Sequence, residues 1–233
     1  MKIAALSDLH GFLGQKIEHC DLCIIAGDVV PLEIQLYSKA CEEWFENEFK
    51  EWAESLDCEK VLFVAGNHDF FCERYNKKMH DMFSIYGKVT YLKNELYEYT
   101  SLSTGETLKI YGSPMSHKFR NWAFMQEEDS LRETFKDIPS GLDILLIHDA
   151  PYGVSDICFQ SVNWGNNNKH IGSEALREAI LEKTPRYCIH GHLHSSNHEE
   201  EMLGDTKVYN VSIKDEHYYP LYQPLYLEIS SME

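Results

Sequence analysis

Apolar and polar positions along the chain repeat one unit: a short apolar run that stops abruptly on small and polar residues. Lys2 to Leu6, Leu22 to Ala26, Val61 to Ala65, Ile144 to Ile147 and Tyr187 to Ile189 are the clearest cases. Short apolar runs bounded by turn formers read as buried strands. Between the second and third, Leu36, Tyr37, Ala40, Cys41, Trp44, Phe45, Phe49, Trp52, Ala53 and Leu56 recur every three to four positions. This predicts an amphipathic helix between Pro31 and Leu56, with its aromatics in the core. Glu73 to Phe83 predicts a second helix and Val89 to Leu92 a strand. Leu96 to Tyr99 and Leu108 to Tyr111 flank Thr104 and Gly105 as a hairpin would. Ser173 suits the N-cap of a helix running to Lys183, with Glu174 favourable to its dipole. Val208 to Val211 and Leu221 to Ile229 read as closing strands, the second at an edge because Pro224 interrupts it.

The strand ends carry the chemistry. They read Ser7-Asp8-Leu9-His10-Gly11, Gly27-Asp28, Gly66-Asn67-His68-Asp69, His148-Asp149-Ala150-Pro151 and His190-Gly191-His192-Leu193-His194. Asp8 and His10, like His192 and His194, are two apart, which in extended geometry aims both side chains to one side. Gly66 reads as the residue whose backbone freedom lets Asn67, His68 and Asp69 face a common space. Any one junction also reads as a plain turn, since Gly and Asn favour turns wherever they occur. Five such endings exceed chance, and in open α/β sheets ligands gather beyond the carboxyl ends of the strands. The gathered donors are the carboxylates of Asp8 and Asp28, the imidazoles of His10, His148, His192 and His194, and the amide oxygen of Asn67. That set exceeds one tetrahedral ion. It suits two cations sharing a bridging carboxylate, roughly 3.5 to 4 Å apart. Two further stretches read as loops: His117 to Trp122, with His117 taken as a surface histidine, and Asn163 to His170, with His170 either at a substrate rim or solvated.

Composition adds limits. At 233 residues and 27.1 kDa, one domain spanning 1–233 is expected. Seven cysteines scattered through apolar runs do not form a disulfide framework, and the lone Cys20-x-x-Cys23 reads as core packing rather than a zinc knuckle. The expectation is a soluble protein of a reducing, cytoplasmic compartment. No run approaches a signal or membrane segment. A formal charge of −17, from 21 basic and 38 acidic residues, disfavours stable nucleic-acid binding or attachment to an anionic membrane. Oligomeric state is not indicated.

Asp8 with His10, Gly27 with Asp28, Gly66 to Asp69, His148, and Gly191 to His194 together resemble the ordered signature of calcineurin-like metallophosphoesterases. Gly112 to Pro114 with Trp122, and His170 to Gly172, are similar to the branch called metallophosphoesterase domain-containing proteins. The resemblance implies an α/β (α+β) fold, a four-layer α/β/β/α sandwich of two mixed β-sheets flanked by helices. It also implies two divalent or trivalent ions (Mn, Fe, Zn or Co), one held by Asp8, His10, Asp28 and His194, the other by Asp28, Asn67, His148 and His192. Some of that branch carry Gly in place of the first His of the last motif; here His192 is present, which predicts two occupied sites. By the same resemblance a hydroxide between the metals attacks phosphorus, His68 serves the leaving group, and Asp69 orients the His68 ring. The expected partner is a small phosphoester, with phosphodiesters favoured and cyclic nucleotides among them. A phosphomonoesterase or phosphoprotein phosphatase, a nuclease, and a non-catalytic metal-binding scaffold remain open at this point.

Overall fold

Each apolar run becomes a strand, and the strands assemble into two sheets that share one apolar layer. The computed structural model describes residues 1–158 and 170–230. In chain order, β1 (Lys2–Leu6), β2 (Cys20–Ala26), β3 (Cys58–Val64) and β4 (Val89–Tyr91) form a parallel set. The second sheet then takes β5 (Glu95–Thr100) and β6 (Thr107–Ser113). A two-strand ribbon, β7 (Ser116–His117) and β8 (Met125–Gln126), follows. The second sheet is completed by β9 (Ile144–Ile147), β10 (Tyr187–His190), β11 (Glu201–Leu203) and β12 (Thr206–Asn210), in the order β11-β12-β10-β9-β6-β5. Finally β13 (Leu225–Glu228) returns antiparallel to β1 at the edge of the first sheet, the edge place that Pro224 predicted.

Alternation along each strand explains the layering. Ile3, Ala5, Leu22, Ile24, Leu62 and Val64 of the first sheet share one buried cluster with Ile110, Ile144, Leu146 and Ile189 of the second. Their neighbours one residue along, Ala4, Leu6, Ile25, Phe63, Leu145 and Ile147, belong to the cluster that includes the helices. A side-chain period of two requires this division, because successive residues point to opposite faces. Two mixed sheets flanked by helices are the result.

The long predicted helix begins at Ser38, not just after Pro31. It comprises α1 (Ser38–Trp44), a wide turn over Phe45–Phe49, and α2 (Lys50–Ser55). Leu36 and Tyr37, counted in the periodic pattern, lie ahead of it and are 61% and 67% exposed. In the wide turn the Lys50 N–H donates to Phe45 O, five residues back, which keeps Trp44, Phe45 and Phe49 together against Phe63. The second helix splits into α3 (Phe70–Arg74) and α4 (Asn76–Met82) at Tyr75, whose φ −122° and ψ 42° leave the helical region. Helix α5 (Glu128–Phe135) had no adequate apolar signal, since Leu131 and Phe135 are its only buried residues. Helix α6 (Glu174–Lys183) starts as predicted, with Ser173 Oγ accepting the Leu176 N–H at 3.1 Å. The predicted polar loop from Asn163 to Lys169 lies outside the described residues.

Candidate metal centre

The five endings converge because β1, β2 and β3 are adjacent parallel strands of one sheet and β9 and β10 are adjacent parallel strands of the other. Their local geometry is not the extended one that the two-residue spacing suggested. Asp8, His10, Asp28 and His192 all have positive φ, at 57°, 40°, 52° and 69°. Beyond β1 the chain follows the end of β2, the Asp8 N–H donating to Gly27 O at 3.0 Å and the His10 N–H to Asp28 O at 2.9 Å. Turns therefore aim these side chains. Such backbone costs about 1–3 kcal/mol per residue, and residues of this kind cluster at functional sites.

Gly66 corrects a second expectation. Its backbone is not left-handed; what it supplies is room. A Cβ there would stand 2.3 Å from Asp28 Oδ1 and 2.7 Å from His148 Cε1.

Five of the seven predicted donors, Asp8, His10, Asp28, His148 and His194, fall into two overlapping groups of ligand atoms. Asp8, His10 and His194 offer ligand atoms within 4.8 Å of one another, and so do Asp8, Asp28 and His148. Asp28 Oδ2 lies 3.5 Å from His148 Nε2 and 3.7 Å from His10 Nε2, so one carboxylate reaches both groups. Asn67 Oδ1 is 2.9 Å from His148 Nε2. His192 belongs to neither cluster of ligand atoms among the described residues; its N–H donates to Asp8 and its ring lies 5.0 Å from the His148 ring.

Hydrogen bonds behind the imidazoles fix which nitrogen faces inward. His148 Nδ1 donates to Ala26 O at 2.8 Å and His194 Nδ1 to Asp215 O at 2.9 Å, leaving Nε2 of each toward the carboxylates. Metal-binding histidines are usually held this way. Three observations fit a cation. Both ring nitrogens of buried His10 lack a hydrogen-bond partner among the described residues. With its Nδ1 proton committed to Ala26, a neutral His148 would set its Nε2 acceptor against a second acceptor, Asn67 Oδ1. Buried Asp8 and Asp28 need positive charge close by. Burial alone would lower the His148 pKa, but the Asp28 charge overrides it and pushes it up to about 10, a sign of how strongly these carboxylates favour a cation beside them. Burial would likewise raise Asp8, yet the His194 charge and hydrogen bond hold it below the usual carboxylate range. A nitrogen and oxygen donor set without thiolate suits transition-metal ions.

His68 and Asp69 diverge from the expected pairing. His68 Nδ1 meets Gln35 Oε1 at 2.7 Å, so Gln35 fixes the ring and Nε2 faces the centre, 4.0 Å from Asp28 Oδ2. Asp69 instead accepts the backbone N–H groups of Val29, Val30 and Gly66 at 3.2, 3.0 and 2.8 Å. Its carboxylate ties the turn after β2 to the turn after β3. Burial, followed by the nearby Asp28 charge, raises its pKa to about 7.

Above the centre lies a cleft of about 400 Å³ whose lining includes Asp28, Asn67, His68 and His192, and whose walls include Phe119, Trp122 and Tyr218. Trp122 packs on His68 with ring centroids 4.2 Å apart, and Tyr218 sits 5.0 Å from His10 and 5.2 Å from His194. Tyr218 and Gln35 were not singled out from the sequence for any role here. Tyr218 follows the last motif by many residues, and Gln35 precedes α1 in a segment read as helix. His117, taken for a surface histidine, lines the cleft and is paired through Nδ1 with buried Asp149 at 3.0 Å. His170 is paired with buried Asp156 at 2.6 Å and is not among the residues lining the cleft, while His190 is wholly buried.

A profile of the calcineurin-like phosphoesterases matches residues 1–196. The chain belongs to that family. It is 26% identical to human metallophosphoesterase domain-containing protein 1, over 98% of this chain and 71% of that one, and the mouse protein matches equally. Among solved structures it resembles the phosphopantetheinyl hydrolase of Mycobacterium tuberculosis, at a TM-score of 0.52 and 15% identity, over 93% of this chain and 90% of that one. That likeness concerns the fold alone. For a family member the strand-end cluster is a candidate metal site, and among the described residues no helix is long and apolar enough to cross a membrane.

Proposed function

We propose that this phosphoesterase hydrolyses phosphodiesters at a two-metal centre. Asp8, His10, Asp28 and His194 would hold one ion, and Asp28, Asn67, His148 and His192 the other. When bound, such ions supply Lewis acidity toward phosphoryl oxygens and acidify water. The chain's own residues supply the rest. Gln35 holds the Nδ1 proton of His68, so Nε2 is the nitrogen that can pass a proton to the departing oxygen. Trp122 packs against that ring, the centroids 4.2 Å apart. Asp69 keeps the turns bearing Asp28 and His68 at a fixed separation through the backbone of Val29, Val30 and Gly66.

The observation that carries the diester reading is the cleft's lining, which contains aromatic walls and neither Lys nor Arg among the described residues. A diester monoanion presents two organic substituents to apolar walls and asks for less positive charge than a monoester dianion. A small substrate fits better than a nucleic acid, because a formal charge of −17 disfavours attachment driven by phosphate contacts. The test is kcat/KM for bis(p-nitrophenyl) phosphate against p-nitrophenyl phosphate with the same metal, a ratio that compares transition-state stabilisation directly. The diester is expected to be preferred. A monoester preference above about tenfold, equal to roughly 1.4 kcal/mol, replaces this reading with a phosphatase.

A further inference from the structure

Among the described residues the cleft's lining holds neither Lys nor Arg, yet one of its flanks carries a pairing of His117 with buried Asp149 that none of the metal-binding roles uses. Asp149 follows His148 directly off β9, so the strand end that places His148 also places a carboxylate that is fully buried. Its Oδ2 accepts the His117 N–H at 2.7 Å and lies 3.0 Å from His117 Nδ1, and its Oδ1 accepts the Ala150 N–H at 2.9 Å. A buried carboxylate in this arrangement calls for a countercharge, and His117 is the side chain paired with it. The pairing is held by backbone as well. His117 lies on the β7–β8 ribbon, paired in register with Gln126, and the Ser116 N–H donates to Phe124 O at 3.0 Å.

With Nδ1 committed to Asp149, Nε2 is left toward the cleft and makes no hydrogen bond among the described residues. The ring stands 6.4 Å from that of His192 and 6.0 Å from that of Phe119. His68 lies on the other flank, against Trp122 and His10. Neighbouring Lys118 does not serve the same purpose, since it pairs with Glu127 at 2.8 Å.

We propose that His117 is a cationic side chain of the cleft, donating from Nε2 to a phosphoryl oxygen of the bound ester on the His148–His192 flank, with Asp149 as its positioning residue. The proposal rests on the phosphoesterase reading above. It also assigns a consequence for selectivity. A charge-assisted hydrogen bond to a phosphoryl oxygen is about twice as strong as a neutral one, and a dianion gains more from it than a monoanion. His117 therefore narrows the diester preference that the rest of the cleft sets.

The test uses His117→Gln, His117→Lys and Asp149→Asn in the full chain, brought to equal metal content. Inorganic phosphate binding is measured by calorimetry, and kcat/KM is measured for the p-nitrophenyl monoester and diester. His117→Gln is expected to weaken phosphate binding roughly 10- to 100-fold and to lower the monoester kcat/KM more than the diester value. His117→Lys should recover much of the phosphate affinity, and Asp149→Asn should follow His117→Gln. Unchanged phosphate affinity in both His117→Gln and Asp149→Asn overturns the proposal, as does an equal loss on both esters with phosphate binding intact. Should the protein cleave neither ester, the phosphoesterase reading fails, and the calorimetric comparison still decides the role of His117 separately.

Discussion

The floor and the walls of the cleft are built by different means. Asp8, Asp28, Asn67 and His148 sit at the ends of central parallel strands, are buried, and are fixed by backbone turns that cross-link neighbouring strands. Phe119, Trp122 and Tyr218 come from a loop after β7 and from the segment before β13, and Phe119 and Tyr218 are substantially exposed. A rigid floor suits groups that must be held to fractions of an ångström, whereas loop walls can vary without disturbing it. The comparison teaches where reaction type and selectivity are separately encoded. Floor substitutions should abolish metal binding or turnover, and wall substitutions should change which ester is preferred.

Gly66→Ala should have the largest effect. Its added Cβ would strike Asp28 Oδ1 at 2.3 Å and the Asp28 backbone N at 2.6 Å, neither of which can retreat without opening the turn. Loss of bound metal and of measurable turnover is expected, checked by elemental analysis and ester hydrolysis; a variant with full metal content would show that the floor is softer than described. His68→Ala comes next, with both metals kept and turnover down by about 10² to 10⁴. Unchanged turnover would remove His68 from the reaction. Gln35→Leu should cost roughly 10- to 100-fold, because the Nδ1 proton of His68 loses its acceptor. Activity equal to wild type would return the orienting role to another group. Trp122→Ala is the mildest, a change of about two- to tenfold in kcat/KM from a lost aromatic contact, larger for bis(p-nitrophenyl) phosphate than for a small alkyl ester. Equal effects on both would mean that the wall does not read the substituent.

The floor was legible in the sequence because strand, small residue and ligand-type side chain occur together. Asp8, Asp28, Asn67, His148 and His194 each follow an apolar run closely enough that topology alone decides where they meet. The reason given for their aim was partly wrong. Spacing of two implied extended backbone, whereas Asp8, His10 and His192 are turned by positive φ, which no period-two pattern records. Glycine chemistry misled similarly at Gly66, where the constraint comes from Asp28 and His148, far apart in sequence from each other. Adjacency in sequence favoured Asp69 as the partner of His68, while the turn after β3 directs its carboxylate back into the backbone and leaves Gln35 to meet the ring. His117 was unreadable for a related reason: its meaning depends on Asp149, which lies on a strand end remote in sequence.

The account depends most on Asp28, the carboxylate within reach of His10, His68 and His148 together. Metal stoichiometry after loading and removal of excess ion, compared between the native chain and Asp28→Asn, tests it directly. Two ions per chain are expected for the native protein and fewer than one for Asp28→Asn. A reproducible limit of one ion in the native chain, or two ions retained by Asp28→Asn, contradicts a centre bridged by Asp28.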